Sequence, residues 1–448
     1  MTPKDRQIRI VLPALTLGLT TAAFIIAKTG RDALFFQGSG GLLQLPFVYI
    51  NIAGASLPLA LLFVKAMKVW GARPARVGIF VIAAAVLAAA APFLRPGDNP
   101  LLLATFMFIP ATFALLFASL WLLASDIFDK TAKGEAARAF SRIGAGTLSG
   151  GMAGGLIAKA LAPHLEPRWL ILLAALFLLA AVTFIQHIHR RFPSNIAGKN
   201  TNEKRDKRGF FAPLAGRYPL ILLFIAMTGA LAGLLIDFQF YAAAASANMG
   251  MKGNTSFFAN FYILLNFSSL LLQLFATPKI QDRVGLRGGL MVLPLALIGG
   301  ATFVTAAATA LSRSVLRVTE GGLRSSVHRS IWEQAFIAVD ANERSGVKII
   351  VDGVAARMAE ALGAFGLLLW LKQVAHEGSI PMPLDMRWVT WIILVTVTVW
   401  LYITQKLREQ ARKEPRDTQA PRAAAEEPDC ERFPDQCPCT TELGKGIA

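Results

Sequence analysis

The side chains best placed to do chemistry in this 448-residue chain are charged ones set inside long apolar stretches. Lys28, Arg31 and Asp32 fall at i, i+3 and i+4 near the end of the first stretch, and Asp237 and Gln239 lie in a later one. Arg317, Glu320 and Arg324, at i, i+3 and i+7, share one face of a helix. Asp352, Arg357 and Glu360 follow. A charge at the centre of a membrane helix costs roughly 2.5–3.5 kcal/mol on insertion scales, so one without a purpose is disfavoured. The chemistry these residues suit is anion binding. An arginine fork holds two oxygens at once, so Lys28, Arg31, Arg317 and Arg324 form a candidate cationic site for phosphate or carboxylate. Asp32, Asp237 and Glu320 would hold those bases when the site is empty, or carry a proton, and Gln239 is grouped with them. A plainer alternative has Lys28 and Arg31 snorkelling to an interface and the later charges pairing to lock helices together.

The elements that must position these groups are membrane spans. The chain is 54% hydrophobic and only 16% charged, too apolar for a soluble surface of this size. Its apolar runs approach the 20 or so residues that cross a bilayer as helix, and their lack of alternation excludes a barrel. Twelve spans are predicted, near 10–36, 44–67, 76–94, 101–125, 141–162, 169–188, 217–246, 257–277, 288–310, 315–338, 352–373 and 388–405. The expected architecture is an all-α membrane protein. It divides into a first six-helix bundle (1–188), a basic linker (189–216), a second bundle (217–406) and a tail (407–448) too polar to bury a core.

The net charge of +17 sits mostly in the loops after even-numbered spans and in the linker, which the positive-inside rule explains without nucleic acid. Both termini are therefore expected in the cytoplasm, with the chain in a bacterial inner (plasma) membrane. The tenth span is the least apolar, and only its inclusion keeps the basic tail on that side. The first apolar block leads into Lys28 and Arg31 without a cleavage site and is expected to remain as a span. The cysteines, Cys430, Cys437 and Cys439, all lie in the tail with no zinc-like spacing. No metal, cofactor or catalytic motif is expected, and no protein partner is indicated.

Charges after the fourth span (Asp126, Asp129, Arg138, Arg142) and after the eighth (Asp282, Arg283, Arg287) are candidate gating groups, assigned together with Asp352 and Arg357. Salt bridges among them would hold the cytoplasmic side closed; ordinary anchoring by basic loops is the alternative. Lys65–Gly71–Arg73 after span two is matched in spacing by Lys279–Gly285–Arg287 after span eight, as in a chain built from repeats. Glycines 144, 146, 150, 151, 154 and 155 on span five permit close helix approach and do not form a phosphate loop.

Several segments resemble a known family. FIIAKTGRDALFF (24–36) resembles the first-span signature of the plastid- and intracellular-parasite-type ATP/ADP translocases, with Lys28, Arg31 and Asp32 at the matching positions. Residues 120–155 are similar to the family's segment from span four into a glycine-rich span five. Residues 316–364 are similar to the equivalent stretch of the second half, placing Arg317, Glu320, Arg324, Lys348, Asp352 and Arg357 on matching positions. The resemblance implies a major-facilitator-like fold of twelve spans whose spans one, four, seven and ten line a central cavity. It further implies exchange of nucleotides or related organic anions by alternating access, without a cofactor. One stretch departs from the family: GSGGLLQLPF (38–47) carries neither the acidic residue nor the lysine that nucleotide exchangers place before span two. Two other readings stay open, a proton-coupled transporter of another solute acting through Asp237 and Glu320, and a non-transporting scaffold that recruits partners through its tail.

Overall fold

The computed structural model describes residues 3–37, 40–96, 100–128, 133–192, 214, 216–247, 249–336, 339, 347–376 and 386–413. The linker over 193–213, Asp129 and the tail from 414 with its three cysteines lie outside the described residues. In chain order the helices are α1 (Pro3–Phe35), α2 (Gly40–Trp70), α3 (Ala72–Ala90), α4 (Pro100–Phe128), α5 (Lys133–Leu161) and α6 (Pro167–Arg191). There follow α7 (Arg217–Ser246), α8 (Gly250–Leu271), α9 (Thr277–Ala306), α10 (Ala310–Leu323), α11 (Arg329–Ala335), α12 (Ala356–His376) and α13 (Arg387–Lys413). Among the described residues, three π-helical turns interrupt the second half. Leu272–Ala276 joins α8 to α9, Arg324–His328 joins α10 to α11, and Ile349–Ala355 leads into α12.

Among the described residues, ten helical stretches are long and apolar enough to cross a membrane, judged by length and composition. The expected fifth and tenth spans fall outside that group. α5 begins with charges and continues as glycine, and the α10–π-turn–α11 rod carries the arginine–glutamate–arginine series. Both still pack inside the bundle. The tenth starts cleanly because Thr309 caps it: the Thr309 hydroxyl accepts from the Ser312 amide while the Ser312 hydroxyl accepts from the Thr309 amide.

The two matched loop glycines have the same backbone role. Gly71 (φ 89°) ends α2, and Gly285 (φ 67°) breaks the helical course of α9. Side chains with a Cβ rarely adopt that left-handed conformation. Packing repeats in the same way. In the first half α1 lies against α4, α5 and α6; in the second, α7 lies against α10, α12 and α13. The halves meet through α5 with α8 and α2 with α12, and through α1 with α8 and α2 with α7. With span eleven at α12, each of these contacts has its counterpart under exchange of the halves.

α5 sits in two interfaces at once, which accounts for its glycines. A Cβ on Gly150 would lie 2.2 Å from the Gly18 carbonyl oxygen of α1, and one on Gly154 2.7 Å from that of Ala22. On the other side, a Cβ on Gly151 would lie 2.3 Å from Asn266 Oδ1, and one on Gly155 2.7 Å from Ile263 Cγ1 of α8. Backbone-to-backbone contact of this kind has no flexible group that can yield. Gly150→Ala is therefore expected to destabilise the protein by about 1–3 kcal/mol through overpacking. Gly144→Ala, with nothing within 4 Å of its Cβ, should leave the thermal midpoint in detergent unchanged. Equal midpoints for the two variants would contradict this account of the α1–α5 contact.

Candidate binding site

A cavity of roughly 120 Å³ lies between the halves. α1 supplies Phe24, Lys28 and Arg31, α2 supplies Tyr49 and Ile52, and α4 supplies Phe106 and Pro110; α7 of the other half supplies Asp237 and Tyr241. Its first-half wall is mainly apolar and aromatic, with Phe24 tilted on Phe113 at 5.2 Å between centroids.

Behind Lys28 stands a buried cluster. Arg31 is 3% exposed and Asp32 fully buried, so neither reaches toward an interface. Arg31 Nε donates to Asp32 Oδ1 at 2.8 Å, and Nη1 donates to the Phe106 carbonyl at 3.1 Å. The guanidinium lies 3.8 Å from the centroid of the Phe106 ring. The second oxygen of Asp32 accepts from two hydroxyls of the opposite half, Tyr241 at 3.2 Å and Tyr262 at 2.5 Å. One carboxylate thus joins α1 to α7 and α8.

The second half holds its own interlaced charges. Arg317 pairs with both Asp237 and Glu320, and Arg324 pairs with Glu320. Arg324 also donates from Nη2 to the Gly229 carbonyl at 2.8 Å, tying α10 to α7. Gly233 keeps this arrangement possible, since a Cβ there would lie 3.2 Å from Arg324 Nη2. The Asp237 Oδ1 atom is ion-paired to Arg317 yet meets no hydrogen-bond geometry, a mark of a contact held by charge more than by alignment.

Lys28 is different. Its ammonium lies 4.8 Å from the centroid of the Tyr262 ring and 5.8 Å from that of Phe24, and it has no ion pair among the described residues.

Of the residues singled out in the sequence, Lys28, Arg31 and Asp237 line the cavity, and Asp32, Arg317, Glu320 and Arg324 form the charged frame around it. Gln239 turns away. Two residues on from Asp237 is about 200° round an α-helix. Its amide donates to Thr390 Oγ1 at 2.5 Å and toward the Met386 carbonyl at 3.4 Å, against α13. Among the gating candidates, the side chains of Asp126, Arg138 and Asp282 lie outside the described residues, Arg142 and Arg283 are exposed, and Arg287 is half-buried. Asp352 accepts from Trp332 Nε1 at 2.8 Å and Arg357 pairs with Glu360 at 2.7 Å. Both contacts stay within the second half.

Sequence reasoning missed the aromatic partners. Tyr241 was open to detection, four residues after Asp237 and so on the same helical face. Tyr262 gave no local signal. The aromatic groups also seal the cavity where α1 and α7 end and α8 begins. Phe36 stacks on Tyr241 at 4.4 Å, Phe35 meets Phe106 at 4.1 Å, and Phe36 and Phe258 are 6.0 Å apart.

Two packed halves of long apolar helices with a cavity between them give an all-α, major-facilitator-like fold. Solved structures of known transporters share it. The nucleoside transporter NupG matches with a TM-score of 0.62 at 11% identity, covering 90% of this chain and 99% of that one. The POT family transporter PepTSo matches at 0.62 and 12% identity, covering 89% and 98%. An auto-inhibited POT family peptide transporter matches at 0.60 and 12%, covering 90% and 97%. At these identities the likeness establishes the fold. No family model and no curated protein matches the chain.

Proposed function

We propose that the chain is a secondary transporter, carrying a small organic anion across a membrane by alternating access, with the anion held beside Lys28 between the two halves. One observation carries this reading: a cavity lined by ionisable groups of both halves, with a lysine that no carboxylate meets among the described residues. Structural ion pairs fill their own space and leave no charge over. A scaffold has no use for a half-buried unpaired ammonium, which is costly in a low-dielectric interior.

The seal built from Phe36, Tyr241 and Phe258, together with the Asp32–Tyr262 contact, must part for a solute to pass. On the basic-loop reading the sealed end is the outer one, and both termini are cytoplasmic in a bacterial inner membrane. The finer reading, exchange of ATP for ADP, draws support from the fold and from the Lys28–Arg31–Asp32 series. It is weakened by the pairing of Arg31, Arg317 and Arg324 with carboxylates.

The test is to bridge the seal. In a chain with Cys430, Cys437 and Cys439 changed to serine, Phe36→Cys and Phe258→Cys are joined by a short bifunctional thiol reagent cleavable by reductant. Saturable uptake of labelled organic anions, nucleotides included, into proteoliposomes should stop on bridging and return after reduction. Undiminished flux through the bridged protein, or no saturable flux of any anion, removes the proposal.

A further inference from the structure

Resting on the transporter reading above, we infer that the solute is a monocarboxylate with a flat, apolar body, not a polyphosphate. The first ground is charge balance. Arg31 is matched by Asp32, and Arg317 and Arg324 are matched by Asp237 and Glu320. Lys28 remains, leaving the site with one positive charge to neutralise. A single carboxylate satisfies it. Each further negative charge on a nucleotide would sit unbalanced in a medium of low dielectric and close to Asp237, which lines the same cavity. Freeing the arginines instead would strand buried carboxylates, since Asp32 is fully buried and the Glu320 side chain 2% exposed.

The second ground is the shape and chemistry of the wall. Facing Lys28 are Phe24, Tyr49, Ile52, Phe106 and Pro110, surfaces suited to the face or edge of a ring. The cavity of roughly 120 Å³ has room for a small ring against this wall. An anion on the ammonium and a ring on this wall would use both chemistries that the cavity offers.

Thermal unfolding of the full-length protein in detergent tests the inference with three sets of probes. These are benzoate, nicotinate and phenylacetate; their neutral amides; and AMP and ATP. At about a hundred times its dissociation constant, a fitting carboxylate should raise the midpoint by roughly 3–5 °C, with no rise from its amide. Lys28→Met should abolish the shift and Lys28→Arg should keep it. Neither change strands a buried partner, so both variants should fold. The carboxylate that shifts the midpoint should also show saturable uptake into proteoliposomes. If AMP or ATP stabilises and moves in a Lys28-dependent way while the carboxylates do not, the solute class is overturned and the transporter reading stands. A carboxylate shift that persists in Lys28→Met overturns the inference too. If no probe stabilises or moves, both readings fall.

Discussion

Arg317→Ala is expected to lower stability by about 1–3 kcal/mol and to abolish transport. The size follows from what is left behind. Arg317 is the arginine that joins Asp237 to Glu320, and its loss strands Asp237 with no ion-pair partner while Glu320 keeps only Arg324. Breaking such a pair costs more than the pair contributes where the remaining charge is desolvated, as Glu320 is; Asp237, a quarter exposed to the cavity, is less so. The diagnostic variant is therefore the double one. Arg317→Ala with Asp237→Ala also removes the carboxylate that the first change strands, and its thermal midpoint should recover part of the loss while transport stays absent. A midpoint no better than that of Arg317→Ala alone would show that the arginine acts through something other than charge pairing. The cycle of single and double variants measures the coupling directly.

Asp32→Ala should have a larger effect by a different route. Asp32 accepts from Arg31, Tyr241 and Tyr262, so its removal strands a buried guanidinium and two hydroxyls together. About 3–5 kcal/mol is expected from the orphaned arginine alone. Asp32→Asn retains an acceptor for the tyrosines and should cost less, and Tyr262→Phe less again, about 1.5–3 kcal/mol for a hydrogen bond to a charged group. The ordering can be read from chemical denaturation in mixed micelles. Stability equal to wild type in Asp32→Ala would mean that this carboxylate does not join the halves. Where the protein survives, Tyr262→Phe should also speed reaction of a cysteine placed at Phe36 with a water-soluble thiol reagent, since the seal is then weaker.

Much of the fold was legible because the bilayer imposes one demand on every backbone group, and uninterrupted apolar runs are the answer. The tenth span was harder for the same reason, since its length of apolar surface is interrupted by Arg317, Glu320 and Arg324. Only the alternation of basic loops argued for it. Within the site, local spacing was a reliable guide where partners share a helix, as for Arg317, Glu320 and Arg324. It failed for Gln239, because nearness in sequence is not nearness on a helix when the separation is two residues. It also gave nothing for Tyr262, whose partner Asp32 lies 230 residues away and on another helix. Pairing was the least legible property of all. Four basic side chains look like one large anion site until the structure shows three of them already matched to carboxylates.

The three π-turns carry a consequence for the chain's own history. Each lodges a surplus residue in a helix, and among the described residues all three fall after Leu271. Laying one half of the sequence over the other therefore loses phase at every such turn, by about a quarter of a revolution each time. Matched loops such as Gly71 and Gly285, which precede or lie apart from most of that slippage, stay recognisable, while the spans beyond them drift. A search for an internal duplication should accordingly allow a one-residue gap at each of these turns, and any kinship between the halves should sharpen when it does.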